Sequence, residues 1–328
     1  MKLVISGIQP TGLVHLGNYL GTIKPFKNLQ ANHDTIFLIA DQHSISSSYF
    51  KASSGQSISY NLISSIKTTF LTLKACGIKN LIFQSQVPEL CQLAWILGCI
   101  SSMSSYEKMS QFQAKKEALT GSSLAIISYP VLMAADILLF KSHQVLIGDD
   151  QREHLCLCQD LAIRFNSIFG EYFPIPQEIL AKTPRIMNLR DASKKMSKSS
   201  RSESTKINIL DSPDNIRKKI MKAKTDCIME VYYDEVNRME LANMIRIYYG
   251  IVGEDIVEKE VRKRWKDVLE FKSDLCDVVI LEMGKIREKY YEAVYEDKFE
   301  KDEEELVDKL KEVGRKNLEE IKKIVGFF

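Results

Sequence analysis

The 328-residue chain lacks several features that would assign it to a special class of protein. No apolar run reaches the roughly 20 residues of a membrane-spanning helix, so we expect no contact with a membrane. The formal net charge is only +2, so any binding of nucleic acid must come from local basic patches. The N-terminal stretch has neither the basic segment nor the cleavage site of a secretion signal. We therefore expect a cytoplasmic protein.

The chain also lacks the cysteine spacing of a disulfide-rich or zinc-binding protein. Its seven cysteines are odd in number and include no Cys-x-x-Cys pair. The segment His154-Leu-Cys156-Leu-Cys158 suggests metal ligands, but alternate residues of a helix point to different faces and the spacing fits no ordinary zinc site. We expect reduced thiols and no metal ligated by the protein. A GxxxxGK[ST] phosphate loop and internal repeats are likewise absent.

The N-terminal stretch carries the most informative local pattern. Residues 3–5 form a short apolar run that predicts a buried strand, and turn residues follow between Gly7 and Gly12. Apolar residues at helical spacing then begin at Leu13. A strand, a turn and a helix start present unpaired backbone N–H groups, which favour an anion. The spacing alone leaves open whether this unit binds phosphate or nothing.

Apolar segments at 35–40, 81–84 and 144–147 predict further strands, and helical patterns separate them. This alternation predicts an α/β fold with a parallel sheet and helices on both faces. Residues 173–190 contain three prolines and predict a loop. Long amphipathic helices begin at Pro213. We therefore predict a Rossmann-like parallel-sheet catalytic domain at 1–210 and an all-helical C-terminal domain at 211–328.

Four polar features interrupt these apolar patterns. Residues 41–43 and 148–151 follow predicted strands, where parallel sheets deliver polar groups to a crevice. Asp136 is the single carboxylate in the apolar run 128–140, and if buried it must be hydrogen-bonded. Residues 193–201 form a cationic, hydroxyl-rich segment. Each feature has a plainer interpretation: strand-end turns, a solvent-facing helix residue and a solvated surface loop.

Together these segments resemble the tryptophanyl-tRNA synthetases of the bacterial and organellar type over essentially the whole chain. Residues 9–12 and 15–18 resemble that family's form of the HIGH signature of class I synthetases. Residues 195–199, Lys-Met-Ser-Lys-Ser, match the KMSKS loop completely. The first signature ends in Asn18, as expected for the tryptophan enzymes. Ile5 stands where some relatives have an aromatic residue, so the pocket floor is expected to differ slightly.

The resemblance implies a tryptophan–tRNA ligase. Such an enzyme activates L-tryptophan with ATP to tryptophanyl-adenylate and pyrophosphate, and then transfers tryptophan to the 3′ end of tRNA(Trp). It also implies Mg²⁺ held mainly by the ATP phosphates, a homodimer, and helices after Pro213 that contact the anticodon end. Basic clusters at 217–224 and 262–266 are the candidates for that contact. Two alternatives remain: a tyrosyl-tRNA synthetase, and a non-enzymatic adenine-nucleotide-binding module, which would not explain a complete KMSKS loop.

The resemblance also assigns individual residues. Catalytic charge or hydrogen bonding is assigned to His15, Lys115, Lys195 and Lys198. The residues expected to contact ATP are Gln9, Pro10, Thr11, Gly17, Asn18, Gly148, Asp149, Asp150, Ile186, Lys195, Met196, Ser197, Lys198 and Ser199. Those expected to surround tryptophan are Asp136 as acceptor for the indole N–H, with Ile5, Ala40, His43, Tyr129, Met133, Val145, Ile147 and Gln151.

Overall fold

A five-stranded parallel sheet forms the centre of the molecule. The computed structural model of the chain describes residues 2–48, 58–107, 109, 124–181, 185–198, 200, 202–296 and 304–327. The strands are β1 (Leu3–Ile8), β2 (Asp34–Ile39), β3 (Leu81–Phe83), β4 (Gln144–Ile147) and β5 (Gln177–Leu180), in the order β3-β2-β1-β4-β5. Every neighbouring pair is parallel. This confirms the predicted fold class.

The position of β1 creates a crevice. The chain runs outward from β1 through β2 to β3, and then returns to place β4 on the other side of β1. Connections on the two sides of β1 therefore leave in opposite directions. Ligands of open α/β sheets bind where the strand order reverses in this way, outside the carboxyl ends of the strands. The site is expected where β1 and β4 end.

β5 corrects the prediction of a loop at 173–190. Gln177–Leu180 pairs in register with β4 at the edge of the sheet. Its residues are mostly exposed, and Pro174 and Pro176 precede it. An edge strand has only one paired side and little buried apolar surface, so it lacks the apolar run that marks a central strand.

Helices connect the strands and cover both faces of the sheet. The first part of the chain contains α1 (Leu16–Asn18), a π-helical turn (Tyr19–Ile23), α2 (Lys24–Leu29), α3 (Asp41–Ser48), α4 (Ile58–Ala75), α5 (Glu89–Cys99), α6 (Met103–Glu107), α7 (Ala125–Leu138) and α8 (Arg152–Phe169). The later helices are α9 (Pro213–Met221), α10 (Met239–Val252), α11 (Glu258–Arg264), α12 (Val268–Tyr295) and α13 (Glu304–Val325). Within the described ranges, no helix combines the length and apolarity needed to span a membrane.

Two apolar cores lie on opposite faces of the sheet, because side chains alternate along each strand. Val4 joins a core with α4, α9, α10 and α12, whereas Ile5 joins a core with α5, α7 and α8. Helices α9, α10 and α12 thus share a core with one face of the sheet. The boundary between residues 210 and 211 stays a prediction.

The last helix returns to the other face. Val307, Leu310, Leu318 and Ile321 of α13 belong to the core that contains α5 and α7. The buried Asn317 donates through Nδ2 to the carbonyl of Leu139, 2.7 Å away, which satisfies a carbonyl at the end of α7. α13 therefore packs against the helices that cover the sheet.

Gly314 permits this close approach of α13. A Cβ atom at this position would lie 3.2 Å from Val87 and 3.3 Å from Leu139, both fully buried. We expect Gly314→Leu to lower the free energy of unfolding by about 1–3 kcal/mol through overpacking, measured by thermal or urea denaturation.

Gly284, within α12, provides the control. A Cβ atom there would meet only the far end of Arg287, at 4.0 Å. Gly284→Ala should be neutral or stabilising by up to about 1 kcal/mol, because glycine inside a helix costs about that much relative to alanine. A Gly314→Leu protein as stable as the unsubstituted chain would contradict the proposed close packing.

Candidate active site in the crevice

The turn after β1 leads directly into the first helical segment. Gly12 has a φ of 124°, a backbone conformation that other residues adopt only with strain. Helix α1 begins at Leu16 rather than near Leu13, which is exposed outside the helix. A Cβ atom at Gly17 would lie 3.1 Å from the His15 ring, so glycine leaves room for that ring.

His15 caps the first helix in a defined orientation. Its Nδ1 accepts a hydrogen bond from the backbone N–H of Asn18, and the Asn18 side-chain oxygen accepts from the backbone N–H of His15, both at 3.3 Å. Because Nδ1 is an acceptor, the ring proton of neutral His15 lies on Nε2. Burial and the charges of Lys198, Lys195 and Lys206 lower the pKa of His15 to about 3. His15 is therefore a neutral N–H donor at physiological pH.

The two signature segments lie side by side. His15 and Asn208 form an antiparallel bridge. The backbone N–H of Leu16 donates to Ile207 O at 2.8 Å, and that of Ile209 donates to Val14 O at 2.9 Å. The residues that follow the KMSKS loop are thus bonded to the start of α1, which brings the two signatures together.

The KMSKS loop is held on its N-terminal side by backbone and by one buried amide. Met196 N donates to Ile186 O at 3.0 Å, and Met196 is itself buried. The Asn243 side chain from α10 accepts from Met187 N at 2.8 Å and donates to Met187 O at 2.9 Å. This amide pairs with both the N–H and the carbonyl of Met187, as a neighbouring strand would. Helix α10 therefore holds in place the segment that leads into the KMSKS loop.

A buried lysine holds the other side of the loop. Lys206 donates to Lys198 O at 3.0 Å and pairs with Glu203 at 3.1 Å. Glu203 also accepts from the Asn208 side chain at 2.8 Å. A buried ammonium needs such partners, because its desolvation is otherwise costly. Lys206 therefore stabilises the backbone that carries Lys198.

The two lysines of the signature contact protein groups at the mouth of the crevice. Lys195 pairs with Asp150 at 2.6 Å, and Lys198 donates to the backbone carbonyl of Gln9 at 2.7 Å. Although partial burial opposes it, the hydrogen bond from Lys195 lowers the pKa of Asp150. Shielding from solvent lowers the pKa of Lys198 to about 7. An anion in the crevice would compete with both protein partners for these cations.

Acidic and basic side chains follow β4 at the same edge. Asp149 lies 3.4 Å from Arg152 and 3.8 Å from Arg185. Gln151 donates to Asp150 at 3.2 Å. The residues predicted around the nucleotide are therefore assembled from three places: the turn after β1, the end of β4 and the KMSKS loop.

Apolar side chains cluster on the α7 side of the sheet, and we call the region they surround the slot. Ile5 of β1 and Val145 and Ile147 of β4 belong to the core that contains α7, with Met133 packed against it. Tyr129, Met133 and Asp136 are three or four residues apart on α7, a spacing that places them on one helix face. Ala40 follows β2 and donates to Ile8 O.

Asp136 is a buried carboxylate within this slot. His43 Nε2 lies 3.1 Å from Oδ2, and Gln84 Nε2 lies 2.8 Å from Oδ1 and 3.1 Å from Oδ2. Burial raises the pKa of Asp136, while the bonds to His43 and Gln84 oppose that rise. The hydrogen bonding predicted for a buried Asp136 is therefore present.

Tyr129 is positioned by a residue that sequence analysis considered for a different role. Its hydroxyl lies 2.6 Å from Nε2 of His154, which is fully buried on α8. His154 thus orients a pocket residue. The sequence pattern suggests His154 only as a possible metal ligand. Among the described residues, no group of three or more His, Cys, Asp or Glu side chains could hold a metal ion.

Most predicted site residues thus converge on the crevice, but two cannot be placed. Lys115 and Ser199 lie outside the described residues. Sequence analysis missed Gln84, His154, Lys206 and Asn243. Gln84 had a usable signal, because it directly follows a strand of a parallel sheet. Lys206 and Asn243 had none. The partners of Asn243 are backbone atoms distant in sequence, and Lys206 meets its nearby partners only through the fold of its own loop.

Comparison with known proteins identifies the class. The family model of class I tRNA synthetases for tryptophan and tyrosine (W and Y) matches residues 2–276. The chain therefore belongs to the class I tRNA synthetases. The tryptophan–tRNA ligase of Halalkalibacterium halodurans is 37% identical over 327 residues, covering 99% of this chain and 98% of the relative.

Solved structures agree with this similarity. Tryptophanyl-tRNA synthetase from Mycoplasma pneumoniae matches with a TM-score of 0.87 and 28% identity, over 100% of this chain and 98% of that one. The Campylobacter jejuni enzyme, complexed with ADP and tryptophan, matches with a TM-score of 0.77 and 27% identity, over 99% and 100% of the chains. The chain belongs to the tryptophan–tRNA ligase family.

The lowered pKa of Lys198 leads to a prediction about nucleotide binding. With its pKa lowered to about 7, Lys198 should lose its proton in the free protein as the pH rises past this value, and a phosphate beside it would raise its pKa again. ATP binding should therefore take up as much as about one proton at a pH above this value, and its affinity should fall as the pH rises above 7. Calorimetry in buffers of different ionisation enthalpy measures the uptake.

Lys198→Arg is the matched control, because arginine stays charged throughout this range. Its ATP binding should show little proton uptake. Equal uptake by both proteins would mean that another group titrates and that Lys198 does not meet the phosphates.

Proposed function

We propose that the crevice between β1 and β4 performs both steps of tryptophan–tRNA ligation. One observation carries this proposal: an apolar slot containing a single hydrogen-bonded carboxylate, Asp136, adjoins a crevice mouth with two lysines. The indole ring is large and apolar and has one N–H that can only donate. The slot provides the apolar walls, and Asp136 provides the acceptor.

We assign the nucleotide to the edge formed by the first signature and the end of β4. His15, a neutral donor, can bind a phosphate oxygen through Nε2–H. Gly17 leaves backbone accessible, and Asp149 and Asp150 can accept from ribose hydroxyls. Gln9 and Thr11 border the same turn. The remaining residues predicted to contact ATP stay assigned to it.

Adenylate formation requires alignment and charge stabilisation more than covalent catalysis. The tryptophan carboxylate attacks the α-phosphorus, and pyrophosphate leaves with the electrons of the broken P–O bond. Lys195 and Lys198 would exchange Asp150 and the Gln9 carbonyl for the departing phosphates. Preorganised cations that meet charge as it develops lower the barrier. Tyr129 and Gln151 are assigned to the α-ammonium of tryptophan.

We propose that Mg²⁺ arrives with ATP. This ion keeps several of its waters and commonly binds substrate phosphates together with few protein ligands. It would add positive charge to the phosphates that the two lysines approach. We also propose that the protein works in the cytoplasm, because all seven of its cysteines are free and a reducing compartment preserves them.

Exchange of labelled pyrophosphate into ATP tests the assignment directly. The exchange should depend on tryptophan when each of the twenty amino acids is supplied in turn. Dependence on tyrosine would favour the tyrosine enzyme. ATP binding without any exchange would favour a nucleotide-binding module.

Asp136→Ala tests the indole acceptor. Loss of a charge-assisted hydrogen bond costs about 1.5–3 kcal/mol, which corresponds to roughly ten- to hundredfold in binding. We expect the KM for tryptophan to rise by this factor in the exchange assay, with little change in the KM for ATP. Small and equal effects on both constants would remove Asp136 from the indole site.

The predicted tRNA contacts need refinement, because several cations of the two basic clusters are already paired. Arg217 pairs with Asp277 at 2.7 Å, and Lys224 pairs with Glu240 at 2.7 Å. Lys219, Arg262 and Arg264 also have carboxylate partners. Lys218, Lys222, Lys263 and Lys266 are exposed and form no ion pair with another described residue. We propose these four lysines as the tRNA phosphate contacts.

Charge removal separates tRNA binding from chemistry. The double variants Lys218→Ala/Lys222→Ala and Lys263→Ala/Lys266→Ala should raise the KM for tRNA and make it less sensitive to salt, by about one unit of slope for each lost contact. Tryptophan-dependent exchange should not change. Lys224→Ala, which removes a paired lysine, is the control. An unchanged KM and salt slope in both double variants would place the tRNA contacts elsewhere.

A homodimer is supported by the outer face of α5. Cys91, Trp95 and Cys99 are spaced four residues apart and are all exposed, and 72% of Trp95 is accessible. An exposed tryptophan on such a stripe is typical of a protein interface. Trp95→Glu should shift sedimentation from dimer toward monomer, whereas Trp265→Phe, at a buried position, should not. A dimer that persists in Trp95→Glu would exclude this face.

A further inference from the structure

Gln84 is a fully buried amide beside Asp136, and it is not among the residues proposed to contact ATP or tryptophan. We propose that Gln84 determines specificity for tryptophan by holding Asp136 ionised and oriented as the acceptor for the indole N–H. This inference rests on the proposed function of Asp136. It concerns a positioning residue, because Gln84 acts on the substrate through Asp136.

The position of Gln84 follows from the parallel sheet. β2 and β3 pair with Ile39 opposite Phe83, so the residues that follow these strands emerge at the same edge. Gln84 follows β3 directly, and His43 lies in the first turn of α3 after β2. α7 brings Asp136 against the same edge. Three elements thus place Gln84, His43 and Asp136 in contact.

The contacts determine which way the amide points. Gln84 Oε1 accepts from the backbone N–H of His43 at 3.3 Å, which only an oxygen can do. The NH₂ group must therefore face Asp136, and its nitrogen lies within 3.1 Å of both carboxylate oxygens. A reversed amide would place its oxygen against a carboxylate and leave the His43 N–H unpaired. Only one orientation satisfies every group.

This arrangement leaves Asp136 one acceptor direction for substrate. An ionised carboxylate has about four lone-pair directions. Oδ2 receives Gln84 and His43, whereas Oδ1 receives only Gln84 among the described residues. A second direction at Oδ1 is therefore available for a donor in the slot. Protonation of Asp136 would remove an acceptor, and the donors from Gln84 and His43 oppose it.

Discrimination between tryptophan and a sulfur isostere measures this role. β-(1-Benzothiophen-3-yl)-L-alanine has the shape of tryptophan but has sulfur in place of the indole N–H. A site built to hydrogen-bond a donor rejects an analogue that lacks it, because its buried acceptor is left unpaired. Pyrophosphate exchange gives the kcat/KM ratio of tryptophan to the isostere. The unsubstituted protein should prefer tryptophan strongly.

Gln84→Met retains length and removes the amide. It should lower this ratio by about tenfold or more, mainly through the KM for tryptophan, and leave the KM for ATP unchanged. Gln86→Met is the matched control. Gln86 lies on the same turn, and its side-chain oxygen accepts from Phe83 N at 3.2 Å, with no bond to Asp136. An unchanged ratio in Gln84→Met, with ATP binding retained, would overturn the proposal.

Gln84→Glu tests the proposal through pH. If Gln84 only stabilised the fold, the preference of this variant for tryptophan would not depend on pH. A protonated glutamic acid can donate to Asp136 and accept from His43 N, as the amide does, whereas an ionised one repels Asp136. The titratable groups around it are Asp136 and His43, which it contacts, and Asp41, which bonds to the neighbouring Ser85. The ratio of Gln84→Glu, relative to the unsubstituted protein at the same pH, should thus be higher at pH 6 than at pH 8. No difference between the two pH values would contradict the proposal.

The same assay separates this proposal from the function on which it rests. If the unsubstituted protein does not discriminate between tryptophan and the isostere, Asp136 is not the indole acceptor and the proposed site fails. A different outcome would concern Gln84 alone. In that case the unsubstituted protein prefers tryptophan to the isostere, Asp136→Ala loses this preference, and Gln84→Met keeps the full kcat/KM ratio.

Discussion

The pairing of β1 with a strand on each side is the constraint on which the site depends. β2 lies on one side and β4 on the other, both parallel to β1. Because parallel strands end at the same edge, this order gathers the turn after β1, the polar end of β4 and the residues after β2 and β3. No single segment contains the site. The sheet assembles it from segments that contribute one or two side chains each.

Electrostatics divides the crevice into two parts with different burial. On the nucleotide side, Lys195 contacts a carboxylate and Lys198 a carbonyl, and both partners can be exchanged for phosphate. In the slot, Asp136 is nearly inaccessible and His43 and Gln84 stabilise it. The two lysines can exchange partners as charge develops on the phosphates. The buried carboxylate must stay in place, because it selects the substrate ring by its one N–H donor. The nucleotide end of the site thus has cations that can change partners, and the tryptophan end has a carboxylate held in a fixed position.

The helices after Pro213 also contribute to the catalytic region. α10 supplies Asn243 to the base of the KMSKS loop, and Tyr19 of the π-helical turn after the first signature bonds to Glu282 of α12. Lys24 donates to Gly250 O at 3.0 Å at the end of α10. Both sides of the crevice are thus attached to α10, and the side of the first signature is also attached to α12. A shift of those helices would move both sides of the crevice together.

The sequence by itself determined the α/β class, the two signatures and the isolated carboxylate Asp136, because these are local patterns of apolar runs, turn residues and charge. Only the tertiary structure decided that Gln84, His154 and Asn243 contact the groups they support, since those groups are far away in the chain. Lys206 bonds within its own loop, and folding decides that its ammonium is buried there. The local sequence pattern also failed to predict the edge strand β5. This strand pairs only with β4 and is mostly exposed, so it has no apolar run. The pairing of most cations in the two basic clusters likewise depends on acids brought close by folding. Local sequence encodes which groups are present, and packing decides which of them remain free to act.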